Sequence, residues 1–202
     1  MKILIIGGSG TIGKKVTEHF LKKHEVVVAS RNSSEVTVDI TDSRSIEAVF
    51  KSVGHVDAAV CIAGDAKWAA FEEMTEEDFY IGLKSKLMGQ VNMVRIGQRF
   101  LNPGGSFTLS TGILADHPVE FTTSAAMVNG GIHSFVKAAA IELTNGRRIN
   151  VVSSGLVEDA VDKYGAYFQG HNPIPMKKVI NGYVKSVEGK GTGEIIRMYD
   201  NC

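Results

Sequence analysis

Glycines at positions 7, 10 and 13 follow the first apolar segment of the chain. That segment, Lys2–Ile6, has the apolar, β-branched character of a buried strand, and a helical period begins at Thr11. Gly7 permits a tight turn, Gly10 lets the backbone approach a pyrophosphate, and Gly13 permits close packing of helix on strand. The order of strand, glycine turn and helix therefore predicts a dinucleotide site at the helix N-terminus. The alternative is an ordinary strand-to-helix turn.

The rest of the chain alternates short apolar segments with longer segments of helical period. This alternation predicts a Rossmann-like, doubly wound α/β fold, with a seven-stranded parallel sheet and helices on both faces, in a single domain over residues 1–202. A ligand should then bind at the carboxyl ends of the strands. The predicted strands are Lys2–Ile6, Glu25–Ala29, Glu35–Val38, Val56–Ile62, Ser106–Ser110, Ile149–Ser153 and Glu194–Met198. The predicted helices are Thr11–Lys22, Ser43–Val53, Glu76–Phe100, Ser124–Thr144 and Pro175–Val184, with shorter pieces between Val157 and Tyr164.

The charge balance and the cysteine content narrow the classes of partner. Lys plus Arg and Asp plus Glu both number 22, so no overall field favours nucleic acid or an anionic membrane. No segment approaches the ~20 apolar residues of a spanning helix. Cys61 and Cys202 do not form the pattern of a disulfide framework or a zinc site. We therefore expect a cytoplasmic protein with a small-molecule partner and without nucleic-acid or membrane binding.

The end of the second strand indicates which dinucleotide binds. An NAD site usually has a carboxylate there to accept hydrogen bonds from the ribose hydroxyls, whereas this chain has Ser30 and Arg31. A guanidinium beside a hydroxyl suits a 2′-phosphate, because it makes charge-assisted contacts that a diol cannot match. The pair predicts NADP(H). The alternative is a solvated arginine in a turn.

Several motifs in this order resemble the short-chain dehydrogenase/reductase family over nearly the whole length. Asp39-Ile40 resembles the adenine-contacting pair, Ala63-Gly64 the end of the Asn-Asn-Ala-Gly motif, and Gly155-Leu156 the turn beneath the nicotinamide. The family's glycine turn is similar to the one described above. The cofactor-binding residues that the resemblance implies are Gly7, Ser9, Gly10, Thr11, Ile12, Gly13, Ser30, Arg31, Asp39, Ile40, Ala63, Gly64, Asn129, Gly155 and Leu156.

The family's proton-transfer residues are replaced in this chain. The position of the family's tyrosine falls on Ala125, and that of its lysine, one helical turn later, falls on Asn129. Neither side chain titrates near neutral pH. The family's asparagine aligns with Lys86, and only the catalytic hydroxyl is retained, as Thr111 or Ser110. The chain thus resembles an atypical subgroup that keeps the nucleotide motif but lacks the usual active-site residues.

Other side chains offer substitutes for the missing acid. Tyr164, Tyr167 and His171 lie where the family has a substrate lid, although packing of the two tyrosines with Phe168 is the favoured interpretation. For His133 we favour a packed or subunit-facing position over a ligand-facing one. For Lys86 we favour a solvated side chain over a charged pocket.

Two functions are left open for this sequence. The first is an NADP-dependent oxidoreductase acting on a carbonyl or alcohol. The second is a catalytically silent NADP(H)-binding sensor or regulator, and a scaffold that keeps only the fold ranks last.

The acidic residues from Glu72 to Asp78 lack a matching His or Cys, so we read them as helix N-terminal charge and predict no metal. The two long helices resemble the pair through which family members form dimers and tetramers, so we predict a homodimer or homotetramer.

Overall fold

The computed structural model describes residues 1–32 and 36–199, which contain one parallel sheet of seven strands in the order β3-β2-β1-β4-β5-β6-β7. β2 and β4 flank β1, so the winding direction reverses there and a crevice opens at the carboxyl ends of these strands. The expected doubly wound α/β fold is confirmed. The strands are β1 (Lys2–Ile6), β2 (Glu25–Ser30), β3 (Val36–Thr37), β4 (Val56–Cys61), β5 (Leu101–Gly112), β6 (Arg148–Ser154) and β7 (Ile195–Met198).

Helices cover both faces of the sheet. Ile3 and Ile5 of β1 pack on the face under α1 and α7, and Leu4 and Ile6 pack on the face under α2, α4 and α5. Side chains of a strand alternate between faces, so a strand buried on both sides needs a continuous apolar segment. Among the described residues, no helix is both long and apolar enough to cross a membrane. The helices are α1 (Thr11–Phe20), α2 (Ser43–Val53), α3 (Glu76–Gly82), α4 (Met88–Gly97), α5 (Thr123–Glu142), α6 (Val161–Tyr164) and α7 (Met176–Glu188).

The single helix predicted over Glu76–Phe100 is present as one helical run from Glu76 to Gly97, but part of it is not α-helical. A π-helical segment, Leu83–Leu87, separates α3 from α4. A π turn inserts an extra residue, so the face that follows it is rotated relative to the face before it. Apolar periodicity does not report such an insertion, because the residues on both sides remain helical and partly buried.

The acidic residues before this segment cap α3. The Thr75 hydroxyl accepts a hydrogen bond from the Asp78 backbone N–H, and the Asp78 carboxylate accepts one from the Thr75 backbone N–H. These reciprocal bonds satisfy two of the amides that a helix N-terminus leaves free. The hydrogen bonds that the Asp78 carboxylate accepts from the backbone N–H and the hydroxyl of Thr75 lower the pKa of Asp78, because they favour the ionised form. The interpretation as helix N-terminal charge is confirmed for Glu76, Glu77 and Asp78, whereas Glu72 and Glu73 lie in a separate 3-10 turn, Phe71–Glu73.

β5 begins five residues earlier than the predicted Ser106–Ser110. Leu101 pairs with Val56 of β4, and the register then shifts before Ser106 pairs with Ala58. The intervening residues, 102–105, contain Pro103 and two glycines, which resemble a turn in the sequence but form an irregularity within the strand. Other boundaries differ by a few residues, and the predicted start of β3 at Glu35 lies outside the described residues.

Candidate functional site

The glycine turn between β1 and α1 has the close backbone contacts that the sequence predicts. Gly7 has a φ of 87°, and a Cβ added there would lie 2.6 Å from the carbonyl oxygen of Ile62. A Cβ on Gly13 would lie 2.1 Å from the carbonyl oxygen of Gly7. Gly10 caps α1, and no side chain caps this helix. The free amides of its first turn therefore face the crevice, where an anionic group can accept their hydrogen bonds.

A cavity of about 520 Å³, here called the nucleotide cleft, extends from this turn past the ends of β2 and β4. Arg31 lies in its wall, and its Nη2 is 3.1 Å from Oδ2 of Asp65. Both side chains are largely exposed, so this ion pair is screened and leaves the guanidinium free to exchange partners. The cofactor residues implied by the resemblance that line the cleft are Gly7, Ser9, Gly10, Ser30, Arg31, Ile40, Ala63 and Gly64.

The other implied cofactor residues lie elsewhere. Asp39 is exposed at the turn before α2, where its Oδ1 accepts hydrogen bonds from the backbone N–H and hydroxyl of Thr41. These two bonds hold the pKa of Asp39 below its usual value. Thr11 is exposed at the start of α1, and Gly13 is buried beneath it.

A second cavity, the inner cavity of about 280 Å³, adjoins the nucleotide cleft at Gly64. Thr111 at the end of β5 lines it, together with Ala125 and Asn129 of α5. The Oδ1 atom of Asn129 is buried and has no hydrogen-bond partner in the described structure. A buried acceptor without a partner carries a desolvation cost, which a ligand hydroxyl donating to it would remove. The site therefore fits a dinucleotide whose ribose reaches this point.

The two candidate hydroxyls of β5 point to opposite faces of the sheet. Thr111 Oγ1 lies 2.9 Å from Nε2 of His133, a buried residue one turn beyond Asn129. Burial lowers the pKa of His133, which outweighs the opposite effect of the nearby Asp116 carboxylate. Ser110 Oγ instead lies 2.7 Å from the Tyr183 hydroxyl on the α7 face. Thr111 alone of the two lines the inner cavity.

The expectation that the Lys86 side chain is solvated is wrong, because the side chain is partly buried. It belongs to the π-helical segment and lines the inner cavity, where its stem packs over Gly64. A Cβ on Gly64 would lie 2.7 Å from Cα and 2.8 Å from Cδ of Lys86, so only glycine permits this approach. Burial lowers the pKa of Lys86, although the nearby Asp65 acts in the opposite direction.

The segment that contains Tyr164 and Tyr167 packs on an aromatic residue that the sequence analysis did not single out. Trp68 lies 5.4 Å from Tyr164 and 5.7 Å from Tyr167, measured between ring centroids. The two tyrosines thus pack among aromatic rings, but on Trp68 and not on Phe168 as expected. His171 instead packs on Phe168. Trp68 is the only tryptophan of the chain and follows closely after Ala63-Gly64. This position in the sequence is the signal that could have identified it as a residue of the site.

Trp68 also borders a third cavity, the outer cavity, of about 240 Å³. The Trp68 ring forms part of the wall of both the inner and the outer cavity. Gly155, Leu156 and Ile12 line this outer cavity, and its walls are mainly apolar. In the described part of the chain, no three side chains of the metal-binding types come together. The arrangement thus joins a polar inner cavity, an apolar outer cavity and a nucleotide cleft.

Comparison with known proteins identifies relatives of this chain. A short-chain dehydrogenase family model, described as enoyl-(acyl carrier protein) reductase, matches residues 11–182. An uncharacterized oxidoreductase of Methylorubrum extorquens is 26% identical over 113 residues, which cover 55% of this chain and only 46% of that protein. This match therefore spans about half of the curated relative's length.

Two solved structures extend the comparison over the whole fold. The protein lin1944 from Listeria innocua is 46% identical with a TM-score of 0.97, and the match covers 98% of this chain and 100% of that one. A small-chain dehydrogenase in complex with NADPH is 25% identical with a TM-score of 0.87, covering 98% and 95% of the two chains. With the family match over residues 11–182, these likenesses establish that the chain belongs to the short-chain dehydrogenase/reductase family.

Proposed function

We propose that this protein is an NADP(H)-dependent oxidoreductase that acts on a carbonyl or alcohol substrate. The observation that carries the proposal is the continuity of the nucleotide cleft with the inner cavity at Gly64. A dinucleotide held at the glycine turn reaches the inner cavity along this path. The Thr111 hydroxyl lies there, where a substrate oxygen can accept its hydrogen bond.

The choice of NADP(H) over NAD(H) rests on Arg31 and on one relative. Arg31 lines the nucleotide cleft beside Ser30, and its exposed ion pair with Asp65 is weak enough to yield to a phosphate. The relative solved in complex with NADPH is 25% identical to this chain. Both observations favour a 2′-phosphate at this end of the cleft.

Within this proposal, bound NADP(H) supplies or accepts the hydride, and the side chains of this protein position the reactants. Asn129 Oδ1 accepts a hydrogen bond from a ribose hydroxyl, in place of the family's lysine. His133 fixes the Thr111 hydroxyl through the 2.9 Å hydrogen bond. The replacement of the family's tyrosine by Ala125 removes the usual acid, which lowers the rate by a factor of ~10² to 10⁴.

The experiment that tests the proposal combines binding and turnover. Trp68 lies between the inner and outer cavities, so energy transfer from it to bound NADPH reports binding directly. Titration with NADPH and NADH, followed by a panel of aldehydes and ketones, measures selectivity and then oxidation of NADPH. We expect tighter binding of NADPH than NADH and slow oxidation with at least one carbonyl. Absence of binding by both dinucleotides would refute the proposal.

A second function is favoured by one observation, the absence of a titratable side chain at positions 125 and 129. Ala125 and Asn129 leave an intact nucleotide cleft beside a site without the family's acid. A silent NADP(H)-binding sensor or regulator would have the same residues. NADPH-selective binding without turnover across the carbonyl panel would favour this second function.

The proposal includes a homodimer or homotetramer formed through α4 and α5. A groove of about 370 Å³ runs between these helices. Its apolar side chains include Val91 and Val94 of α4 and Phe135 of α5. Ile141, near the end of α5, is 86% exposed and adds to the apolar surface of this helix.

A further inference from the structure

Lys86 is a partly buried cation without a partner. No carboxylate forms an ion pair with its ammonium group, and no acceptor hydrogen bonds to it, among residues 1–32 and 36–199. The nearest acid that affects its charge, Asp65, is bound to Arg31 at 3.1 Å. Burial removes part of the hydration of this ammonium, and the only carboxylate that acts on it is shared with Arg31. An anion that enters the inner cavity would therefore supply Lys86 with a counter-charge of its own.

The walls of the inner cavity supply no counter-charge either. The polar side chains that line it beside Lys86 are Thr111, Asn129 and Ser154, which are all neutral. The remaining lining is apolar and includes the Trp68 ring. Gly64 holds the Lys86 stem against the backbone, so the ammonium is directed by packing and not by an ion pair. A ligand that enters this cavity meets one fixed positive charge and several neutral hydrogen-bonding groups.

We propose that the inner cavity binds a small carboxylate, and that Lys86 is its counter-ion. A single ammonium matches the single charge of a carboxylate, whereas a phosphate dianion would need further cations. The volume of about 280 Å³ limits the ligand to a small molecule. This inference rests on the proposed function in making the ligand a substrate: the carboxylate would then be part of a carbonyl compound such as a 2-oxo acid, with its carbonyl near Thr111.

Binding of simple carboxylates tests the inference without any turnover. Pyruvate and acetate are titrated into the protein, both free and saturated with NADP⁺, while Trp68 fluorescence is recorded, and neutral acetamide serves as the uncharged probe. We expect saturable binding of both carboxylates and at least tenfold weaker binding of acetamide, because a charged hydrogen bond contributes about 1.5–3 kcal/mol. Equal binding of acetate and acetamide would overturn the inference.

Variants at two neighbouring lysines separate the cavity from the surface. Lys86→Met keeps most of the unbranched side chain and removes the charge, so it should weaken pyruvate binding at least tenfold, and Lys86→Arg should retain most of it. Lys84→Met is the matched control, because Lys84 is exposed and its Nζ lies 5.6 Å from the centre of the Tyr80 ring. Unchanged pyruvate binding in a folded Lys86→Met protein would contradict the inference.

The same proteins are titrated with NADPH in parallel. Carboxylate binding that depends on Lys86, in a protein that binds no dinucleotide, would support the anion site and refute the proposed function. Dinucleotide binding without carboxylate binding would refute the anion site and leave the proposed function standing. The two failures are therefore distinguishable in one set of measurements.

Discussion

At the scale of single residues, the pair formed by Thr111 and His133 is the best-defined polar contact of the candidate site. His133 is 7% exposed, and the charged groups that act on it are Asp116, Lys137 and Arg197. Asp116 is itself held by Arg197, whose Nε lies 3.0 Å from Oδ2 of Asp116. The acid is therefore largely neutralised, and burial dominates the titration of His133. This leaves a neutral imidazole fixing the Thr111 hydroxyl at neutral pH.

The lowered pKa of His133 predicts a specific pH dependence of stability. Its folded-state pKa lies below the usual 6.5, so the unfolded chain binds the proton more readily. The free energy of unfolding should therefore fall as the pH drops below 6.5 towards the folded-state pKa, and this loss should be absent at higher pH. His133→Gln keeps a hydrogen-bond donor for Thr111 but does not titrate. Urea unfolding across this range should show a flatter pH dependence for the variant; an unchanged dependence would contradict the assignment.

Arg31 determines the cofactor preference if the proposed function is correct. Arg31→Ala should weaken NADPH binding by about 10- to 100-fold, because charge-assisted hydrogen bonds to a 2′-phosphate contribute about 1.5–3 kcal/mol. NADH binding should change little, since NADH lacks that phosphate. Titration of both dinucleotides by energy transfer from Trp68 measures the effect, and Arg44→Ala, at an exposed position of α2, is the control. A parallel loss of affinity for both dinucleotides would show that Arg31 does not read the phosphate.

At the scale of elements, the π-helical segment that joins α3 to α4 decides where Lys86 lies. The sequence predicts the glycine turn and the strand ends well, because backbone sterics at Gly7 and apolar runs such as β1 leave few alternatives. It does not predict the π-helical segment, since one inserted residue leaves the helical pattern intact on both sides. The direction of Lys86 and its contact with Gly64 could therefore be found only from the structure. The Thr111–His133 contact likewise depends on how α5 packs against β5.

Helix α4 approaches the sheet face through a glycine that has no room for a side chain. A Cβ on Gly97 would lie 2.5 Å from Cζ of Phe50, which is fully buried. Gly97→Ala should therefore destabilise the fold by about 1–3 kcal/mol through overpacking. Gly130→Ala in α5 is the matched control, because nothing lies within 4 Å of its added Cβ, and it should stabilise the fold by about 0.5–1 kcal/mol. Urea unfolding measures the free energy of unfolding of both variants. An equal change in this free energy for the two variants would contradict the packing argument.

At the scale of the whole molecule, the sheet order brings the candidate groups of four strands together at the carboxyl ends of those strands. Gly7 and Ala63 follow the ends of β1 and β4, and Thr111 and Ser154 lie at the ends of β5 and β6. Because these strands are parallel, their carboxyl ends line one continuous crevice. The alternation of strands and helices in the sequence already indicated this crevice. The proposed subunit contact lies elsewhere on the molecule, at the groove between α4 and α5.

The proposed subunit contact through α4 and α5 predicts how one surface change alters the mass of the protein. Ala138 is exposed and lines the groove between these helices, so Ala138→Arg leaves the subunit fold intact. In an oligomer the arginine would be buried without a counter-charge, which is costly. We expect light scattering to show an oligomer for the unmodified protein and a monomer for Ala138→Arg at micromolar concentration. Ser52→Arg adds the same charge to an exposed position of α2, outside the groove, and should keep the oligomer. If Ala138→Arg has the mass of the unmodified protein, the subunits associate through another surface or remain single.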